Sequence, residues 1–175
     1  VVSALGGITD QLLHAAQLAL QADDAYMEVY QTIRQRHLDM ANSLIENTTT
    51  RQMLCLELEN ILDELRSILF GVHLVKDLSS KSEAVIVSYG EQLSSRIVTA
   101  ALAGAVRKDS LQFIRTDRKQ GQVLLNTEKT EELVRKAFTP RPHLAVCPGF
   151  ISRDSQTGEI TNLGRGGSDY TASIL

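Results

Sequence analysis

The segment NLGRGGSDYTASIL, from Asn162 to Leu175, joins a glycine-rich turn to the start of an apolar helix. Its three glycines let the backbone take left-handed angles and approach a ligand closely. Ser168 and Asp169 follow at the predicted helix N-terminus, where free N–H groups and the helix dipole favour an anion. Arg165 adds a planar guanidinium that can hold a carboxylate through two parallel hydrogen bonds. The segment therefore predicts an anion site with one extra carboxylate beside it.

Taken alone, this turn has two other interpretations, an arginine–glycine segment that binds RNA and a purely structural loop. The chain of 175 residues has a formal charge of −3 and therefore no basic footprint, so we expect no nucleic-acid partner. Its apolar runs are shorter than the ~18 residues that a membrane span needs, and no secretory signal is visible. We expect a cytoplasmic protein without membrane contact, with Cys55 and Cys147 reduced. The four histidines are scattered, so no metal site is predicted.

Strands alternate with helices along most of the chain. VVSALGG, starting at Val1, is typical of a buried strand that ends in a tight turn, and Thr9 is a plausible N-cap for the helix that follows. LQFIRT and HLAVCPGF are predicted strands around the helix TEKTEELVRKAF, and ISRDSQTGEITNL is a predicted hairpin. This order predicts an α/β protein, a three-layer α/β/α sandwich around a mainly parallel sheet. Ligands of such sheets bind at the carboxyl ends of the strands.

A pair of long helices interrupts this alternation at about residues 22–78. Apolar residues recur there at spacings of three and four, which is the pattern of a helix with one buried face. The first helix carries Tyr26, Val29, Tyr30, Ile33, His37, Met40 and Leu44, and the second carries Leu54, Leu58, Ile61, Leu62, Leu65 and Leu69. A short polar loop between them predicts an antiparallel pair. Core packing is favoured over a cofactor role for this face, and His37 is predicted to be a core histidine.

The stretch AVIVSYGEQLSSRIVTAALAGA contains small and apolar residues and predicts a helix packed closely against its neighbours. Glu91 lies inside this stretch, between Gly90 and Gln92. A buried carboxylate is costly unless it has a partner. An ammonium group of a ligand would supply one.

Three segments, in this order, resemble aspartokinases of the amino-acid kinase superfamily: VVSALGGITDQLL, VSYGEQLSSRI and PGFISRDSQTGEITNLGRGGSDYTA. The resemblance is strongest to the kinase domain of bifunctional aspartokinase–homoserine dehydrogenases and covers nearly the whole chain. It implies phosphorylation of the side-chain carboxylate of L-aspartate by MgATP, the first step toward threonine, methionine and lysine. It also implies ATP and Mg²⁺ as cofactors and a homo-oligomeric parent protein, with NADP only where a dehydrogenase domain is present.

The resemblance also assigns roles to residues. Arg165 corresponds to the arginine that holds the α-carboxylate of the substrate, and Glu91 to the acidic residue that faces its ammonium group. Ser3 and Thr9 correspond to hydroxyls of the aspartate pocket, although a strand-end hydroxyl and an N-cap are equally good interpretations. Asp169 is the predicted catalytic residue, and the predicted substrate-binding residues are Ser3, Thr9, Glu91, Arg165, Gly166, Gly167 and Ser168.

The family also has parts that this sequence lacks. Its opening Lys-Phe-Gly-Gly-Thr-Ser motif, whose lysine stabilises the transferred phosphoryl group, does not occur here. We therefore expect residues 1–175 to form a partial catalytic domain truncated at both ends, with the nucleotide pocket largely outside it and no activity by itself. Two alternatives stay open: another amino-acid kinase, acting on glutamate or acetylglutamate, and a non-catalytic binding module on the same fold.

Overall fold

The computed structural model describes residues 1–119 and 121–175 of the chain. Its helices are α1 (Ile8–Leu20), α2 (Tyr26–Leu44), α3 (Thr48–Val75), α4 (Ser80–Ala101), α5 (Thr127–Ala137) and α6 (Gly167–Ile174). Its strands are β1 (Val106–Arg107), β2 (Arg115–Lys119), β3 (Gln122–Leu125), β4 (Ala145–Val146), β5 (Ile151–Asp154) and β6 (Ile160–Asn162). Within these described ranges, no helix combines the length and the apolar character that crossing a bilayer requires.

Helices α1 to α4 pack against one another around the larger hydrophobic core. The predicted long pair is confirmed as α2 and α3, and α3 begins where the Asn47 side chain accepts a hydrogen bond from the backbone N–H of Thr50 at 2.9 Å. His37 is fully buried, with its Nδ1 atom 2.7 Å from the carbonyl oxygen of Ile33. The predicted core histidine is therefore confirmed, and the apolar face of the pair serves packing.

Helix α4 lies between this helical core and the strands, because it contacts α1 and α3 as well as β1, β4 and β6. Its N-cap is Ser79, whose hydroxyl accepts a hydrogen bond from the backbone N–H of Ser82 at 3.1 Å. Gly90, in the middle of α4, lets the helix approach Ala4 so closely that a Cβ atom at position 90 would lie 2.7 Å from the Ala4 Cβ. The close packing predicted for this glycine-containing helix is confirmed.

The described strands form a four-stranded sheet in the order β3-β2-β5-β6 and a separate parallel pair, β1 and β4. Strands β2 and β5 are also parallel, whereas β2–β3 and β5–β6 are antiparallel hairpins, so the sheets are mixed. A second, smaller core around Phe113, Ile114 and Cys147 is covered by apolar residues of α5 and by Ile174 of α6. Helices thus pack at two separate cores, and the predicted α/β class is confirmed.

Several local predictions differ from the structure. Thr9 is not the N-cap of α1, because the helix already begins at Ile8 and Gly7, with φ 78°, occupies the cap position. The residues at Val1 do not form a buried strand: Val1 is 47% exposed and Val2 makes a single parallel bridge to Pro148. The predicted strand LQFIRT, residues 111–116, is only partly a strand. A 3-10 helix covers Ser110–Gln112, and β2 begins only at Arg115. Tertiary contacts decide these short elements, since β-propensity depends on the neighbours against which a strand packs.

Candidate functional site

A cavity of about 290 Å³ opens where the start of the chain, α4 and the glycine-rich turn meet. Its volume is at the lower end of the range for small-molecule pockets, roughly 300–1,000 Å³. All eight residues that the sequence analysis selected line this cavity, together with Phe150 and Gly164. The selected residues are Ser3, Thr9, Glu91, Arg165, Gly166, Gly167, Ser168 and Asp169. The fold therefore brings the predicted site residues together, while their individual roles stay predictions.

The glycine-rich turn adopts the conformation that its composition predicts. Gly164 and Gly166 have φ angles of 76° and 75°, in the left-handed region that favours glycine. Gly166 is the N-cap of α6, so the N–H groups of Ser168 and Asp169 lie in the first helical turn and have no intrahelical acceptor. These groups and the positive end of the helix dipole favour an anion at this wall of the cavity.

The turn packs against Gly149 and Phe150, just before strand β5. A Cβ atom at Gly149 would lie 2.6 Å from the Ser168 Oγ atom, and one at Gly167 would lie 2.9 Å from the Phe150 ring. Both glycines are therefore required for close approach of the two segments. This packing holds the N-terminus of α6 at the edge of the cavity.

Arg165 and Asp169 present exposed, charged side chains at the mouth of the cavity. Neither side chain makes an ion pair or a hydrogen bond with another residue in the described part of the chain. A guanidinium without an internal partner can bind a carboxylate through two parallel hydrogen bonds. The cavity thus offers one cationic group and one further carboxylate to a ligand.

Glu91, in α4, also lines the cavity and is only 4% exposed. Its Oε1 atom accepts a hydrogen bond from the backbone N–H of Ala4 at 3.2 Å, whereas its Oε2 atom is buried without a partner. Burial raises the pKa of Glu91 to about 7, and the hydrogen bond from Ala4 only partly offsets this effect. A cation in the cavity would supply the missing partner and favour the ionised carboxylate.

Ser3 and Thr9 reach the cavity from the segment that precedes α1 and from its first turn. The carbonyl oxygen of Ser3 accepts a hydrogen bond from the Ser94 hydroxyl of α4 at 2.7 Å, which fixes this segment beside Glu91. Because Gly7 caps α1, the Thr9 hydroxyl is not used for capping. The structure therefore rejects the N-cap interpretation of Thr9 and leaves its pocket role as a prediction.

Sequence reasoning missed Phe150 and did not include Gly164 among the site residues. Phe150 has a left-handed φ angle of 65°, which is rare for a bulky residue. The signal that could have found it is the preceding Pro148-Gly149 pair, which marks a turn at the entrance of β5. Strained residues of this kind cluster at ligand sites.

The residues that line the cavity could supply only part of the ligands of a metal ion. Among residues 1–119 and 121–175, no group of three His, Cys, Asp or Glu side chains could hold a metal ion. Mg²⁺ is commonly bound by one or two carboxylates together with substrate phosphates and water. Asp169, an exposed carboxylate beside the anion site, fits such a shared site, in which Mg²⁺ would neutralise charge on the phosphates.

A glycine turn at a helix N-terminus and an unpaired arginine thus line the same cavity as a buried carboxylate, so groups suited to an anion and to a cation lie around one space. A sequence profile of the Amino acid kinase family matches residues 1–175, and the chain belongs to this family. Among curated proteins it is similar to Aspartokinase 1, chloroplastic, of Arabidopsis thaliana, with 31% identity over 189 residues. It is also similar to bifunctional aspartokinase/homoserine dehydrogenase 2 of Escherichia coli (strain K12), with 28% identity over 180 residues.

Both matches cover 100% of this chain, but only 32% of the Arabidopsis protein and 21% of the Escherichia coli protein. Solved structures of E. coli aspartokinase III superpose with TM-scores of 0.86 for the complex with lysine and aspartate (T-state) and 0.85 for the complex with aspartate and ADP (R-state). Their identities are 26% and 27%, and each covers 99% of this chain and 38% of the solved chain. The resemblance to aspartokinases is thus confirmed, and the chain spans about a third of the length of the first relative.

Proposed function

We propose that this chain forms the amino-acid-binding part of an aspartate kinase, which transfers the γ-phosphoryl group of MgATP to the side-chain carboxylate of L-aspartate. The product is 4-phospho-L-aspartate. The observation that carries the proposal is the buried, unpartnered Oε2 atom of Glu91 in the same cavity as the unpaired guanidinium of Arg165. The relatives support it, since they are aspartokinases and two of the solved ones contain aspartate.

The charges of the cavity match those of a free α-amino acid. Glu91 would accept the α-ammonium group, and Arg165 with the N–H groups of α6 would hold the α-carboxylate. A ligand held at both groups of its α-carbon presents its side-chain carboxylate in one orientation. Positioning of this kind, together with charge stabilisation, accounts for nearly all of phosphoryl-transfer catalysis. Asp169 lies in the same first helical turn as Ser168 and is proposed to act at the reacting end.

The bound MgATP would supply the phosphoryl group and the neutralising cation. In this chain the residue that would face it is Asp169, whose exposed carboxylate lies beside the anion site. A bifunctional origin stays a prediction, because the relatives include monofunctional aspartokinases as well as aspartokinase/homoserine dehydrogenases. NADP binding depends on that origin, and the homo-oligomeric parent is likewise a prediction.

The alternatives differ from the proposal in the substrate or in the reaction, and one of them differs at Glu91. An N-acetylated substrate carries a neutral amide, so it would leave the buried carboxylate without a counter-charge. A glutamate kinase would keep both contacts at the α-carbon and differ in the distance from this carbon to the side-chain carboxylate. A binding module would hold aspartate without transferring phosphate.

The test is an acceptor panel with the full-length protein. ADP release is measured with MgATP and L-aspartate, L-glutamate or N-acetyl-L-glutamate, and the acyl phosphate is trapped with hydroxylamine. We expect ADP release and hydroxamate formation with L-aspartate alone. A higher kcat/KM for either of the other acceptors would identify another amino-acid kinase. Binding of aspartate in calorimetry without any ADP release would identify a binding module.

A further inference from the structure

Thr171, in the second turn of α6, is a fully buried hydroxyl residue that joins two segments of the candidate site. Its Oγ1 atom donates a hydrogen bond to the carbonyl oxygen of Gly167 at 2.8 Å. The same oxygen accepts a hydrogen bond from the backbone N–H of Phe150 at 3.0 Å. One hydroxyl therefore links the first turn of α6 to Phe150, which also lines the cavity.

Phe150 needs such a link because its backbone is strained. A left-handed φ is strained for a bulky residue and persists only when its surroundings hold the residue there. Both backbone polar groups of Phe150 are held: Thr171 accepts from its N–H, and its carbonyl oxygen accepts from the N–H of Leu163 at 2.9 Å. Leu163 immediately precedes the glycine-rich turn. The strained residue is thus tied to the chain on both sides of that turn.

We infer that Thr171 is a positioning residue for the amino-acid site: its hydroxyl holds Phe150 and the N-terminus of α6 in the relative placement that the ligand requires. The inference rests on the proposed function. Thr171 lines no part of the cavity itself, so it acts only through Gly167 and Phe150. Loss of the hydroxyl would leave the N–H of Phe150 without its acceptor and release the left-handed conformation.

A hydroxyl that bonds to the carbonyl four residues earlier is by itself ordinary in helices. Ser173, in the same helix, makes this bond to the Asp169 carbonyl at 3.0 Å, but it is exposed and, among the residues that the structure describes, bonds to none outside α6. Ser173→Ala is therefore a matched control for the intrahelical bond. The distinguishing feature of Thr171 is the second hydrogen bond, to Phe150.

The test uses steady-state kinetics of the full-length protein with Thr171→Val, which keeps the shape of the side chain and removes the hydroxyl. An unsatisfied buried N–H costs roughly 1–3 kcal/mol, so we expect the KM for aspartate to rise about fivefold to a hundredfold. The KM for ATP should stay within about twofold of the wild type, as should both constants of Ser173→Ala. Thr171→Ser keeps the hydroxyl and should restore the KM for aspartate.

Equal KM values for aspartate in the wild type and Thr171→Val would overturn the inference. So would parallel losses of affinity for aspartate and ATP with no rescue by serine, since these indicate a folding defect. If the valine variant does not fold, Thr171→Ala and Thr171→Ser are compared. Both variants lack the Cγ2 methyl group of threonine, and they differ from each other only in the hydroxyl. The inference then fails if their KM values agree. A wild type that uses no aspartate would instead refute the proposed function.

Discussion

Glu91 and Ala4, which are 87 positions apart in the sequence, meet through a hydrogen bond of 3.2 Å from the Ala4 backbone N–H to the Oε1 atom of Glu91. This bond satisfies one oxygen of the carboxylate and leaves the other buried without a partner. Gly90 makes the contact possible, because a side chain at that position would collide with Ala4. A helix and an extended segment thus present an incompletely satisfied carboxylate to the cavity, which is suited to a cationic ligand group.

Replacement of Glu91 by glutamine should affect the two substrates of the full-length protein differently. The uncharged amide cannot form the charged hydrogen bond to an ammonium group, which contributes roughly 1.5–3 kcal/mol. We expect kcat/KM for aspartate to fall about tenfold to a hundredfold, with the KM for ATP almost unchanged. Initial-rate kinetics with each substrate varied in turn provide the measurement. Equal losses toward both substrates would indicate a folding role for Glu91.

The same replacement should stabilise the protein in the absence of substrate, and only at higher pH. The pKa of Glu91 rises from 4.5 in the unfolded chain to about 7 in the folded protein through burial. As pH increases from 4.5 to 7, the unfolded chain therefore loses this proton first, and the folded state becomes relatively less stable. Above pH 7 the cost is complete, at most about 3 kcal/mol. The glutamine side chain does not titrate, so the variant does not lose this stability as the pH rises.

Urea unfolding at pH 5 and pH 8 tests this prediction. The free energy of unfolding of Glu91→Gln should exceed that of the wild type by more at pH 8 than at pH 5. Saturating aspartate should reduce the difference at pH 8, because the ammonium group would stabilise the ionised carboxylate of the wild type alone. A difference that is the same at both pH values would contradict the assignment of a raised pKa to Glu91.

Arg165→Lys distinguishes a carboxylate-binding arginine from a charged residue in a flexible turn. Lysine keeps the charge and loses the planar, bidentate geometry. We expect at least a tenfold loss in kcat/KM for aspartate in the full-length protein, since a charge-assisted hydrogen bond contributes roughly 1.5–3 kcal/mol. The wild type should discriminate strongly against aspartate amidated at the α-carboxyl, and the lysine variant much less. Tolerance of lysine with both substrates would refute this role for Arg165.

Two mid-helix glycines provide a matched pair for the contact between α4 and Ala4. Gly71→Ala, in α3, meets nothing within 4 Å, so the better helix propensity of alanine should stabilise the protein by roughly 1 kcal/mol. Gly90→Ala gains the same propensity but places its Cβ 2.7 Å from the Ala4 Cβ. Such overpacking costs roughly 1–3 kcal/mol, so we expect a lower melting temperature and weaker use of aspartate. Thermal unfolding followed by circular dichroism compares the two, and a stabilised Gly90→Ala would disprove the close contact.

The polypeptide of 175 residues, by itself, should show no aspartate-dependent turnover of ATP. The resemblance to aspartokinases implies that the lysine of a Lys-Phe-Gly-Gly-Thr-Ser motif stabilises the transferred phosphoryl group, and residues 1–175 do not contain this motif. Phosphoryl transfer depends on such charge stabilisation. The measurement is coupled ADP release in the presence and absence of aspartate. Turnover above background that Asp169→Ala abolishes would contradict this expectation.

Long periodic elements could be predicted from the sequence, and short ones could not. The apolar spacing of α2 and α3 is sustained over many turns, so a local pattern is enough to identify them. Strands β1 and β4 have two residues each, and the bridge at Val2 has one. Such strands exist only because a partner from a distant part of the chain lies beside them, which no local pattern records.

The sequence by itself determined which residue types form the candidate site, since the GRGGSD turn, the carboxylate of Glu91 and the family resemblance are all read from residue types and their order. Only the tertiary structure decided that Ser3, Thr9, Glu91 and the turn surround one cavity, that burial raises the pKa of Glu91, and that Phe150 forms a wall. The physical reason is that solvation and hydrogen-bond partners depend on distances through space. Neighbours along the chain fix the backbone turn and the helix dipole, whereas the dielectric environment of a carboxylate is set by residues from other elements.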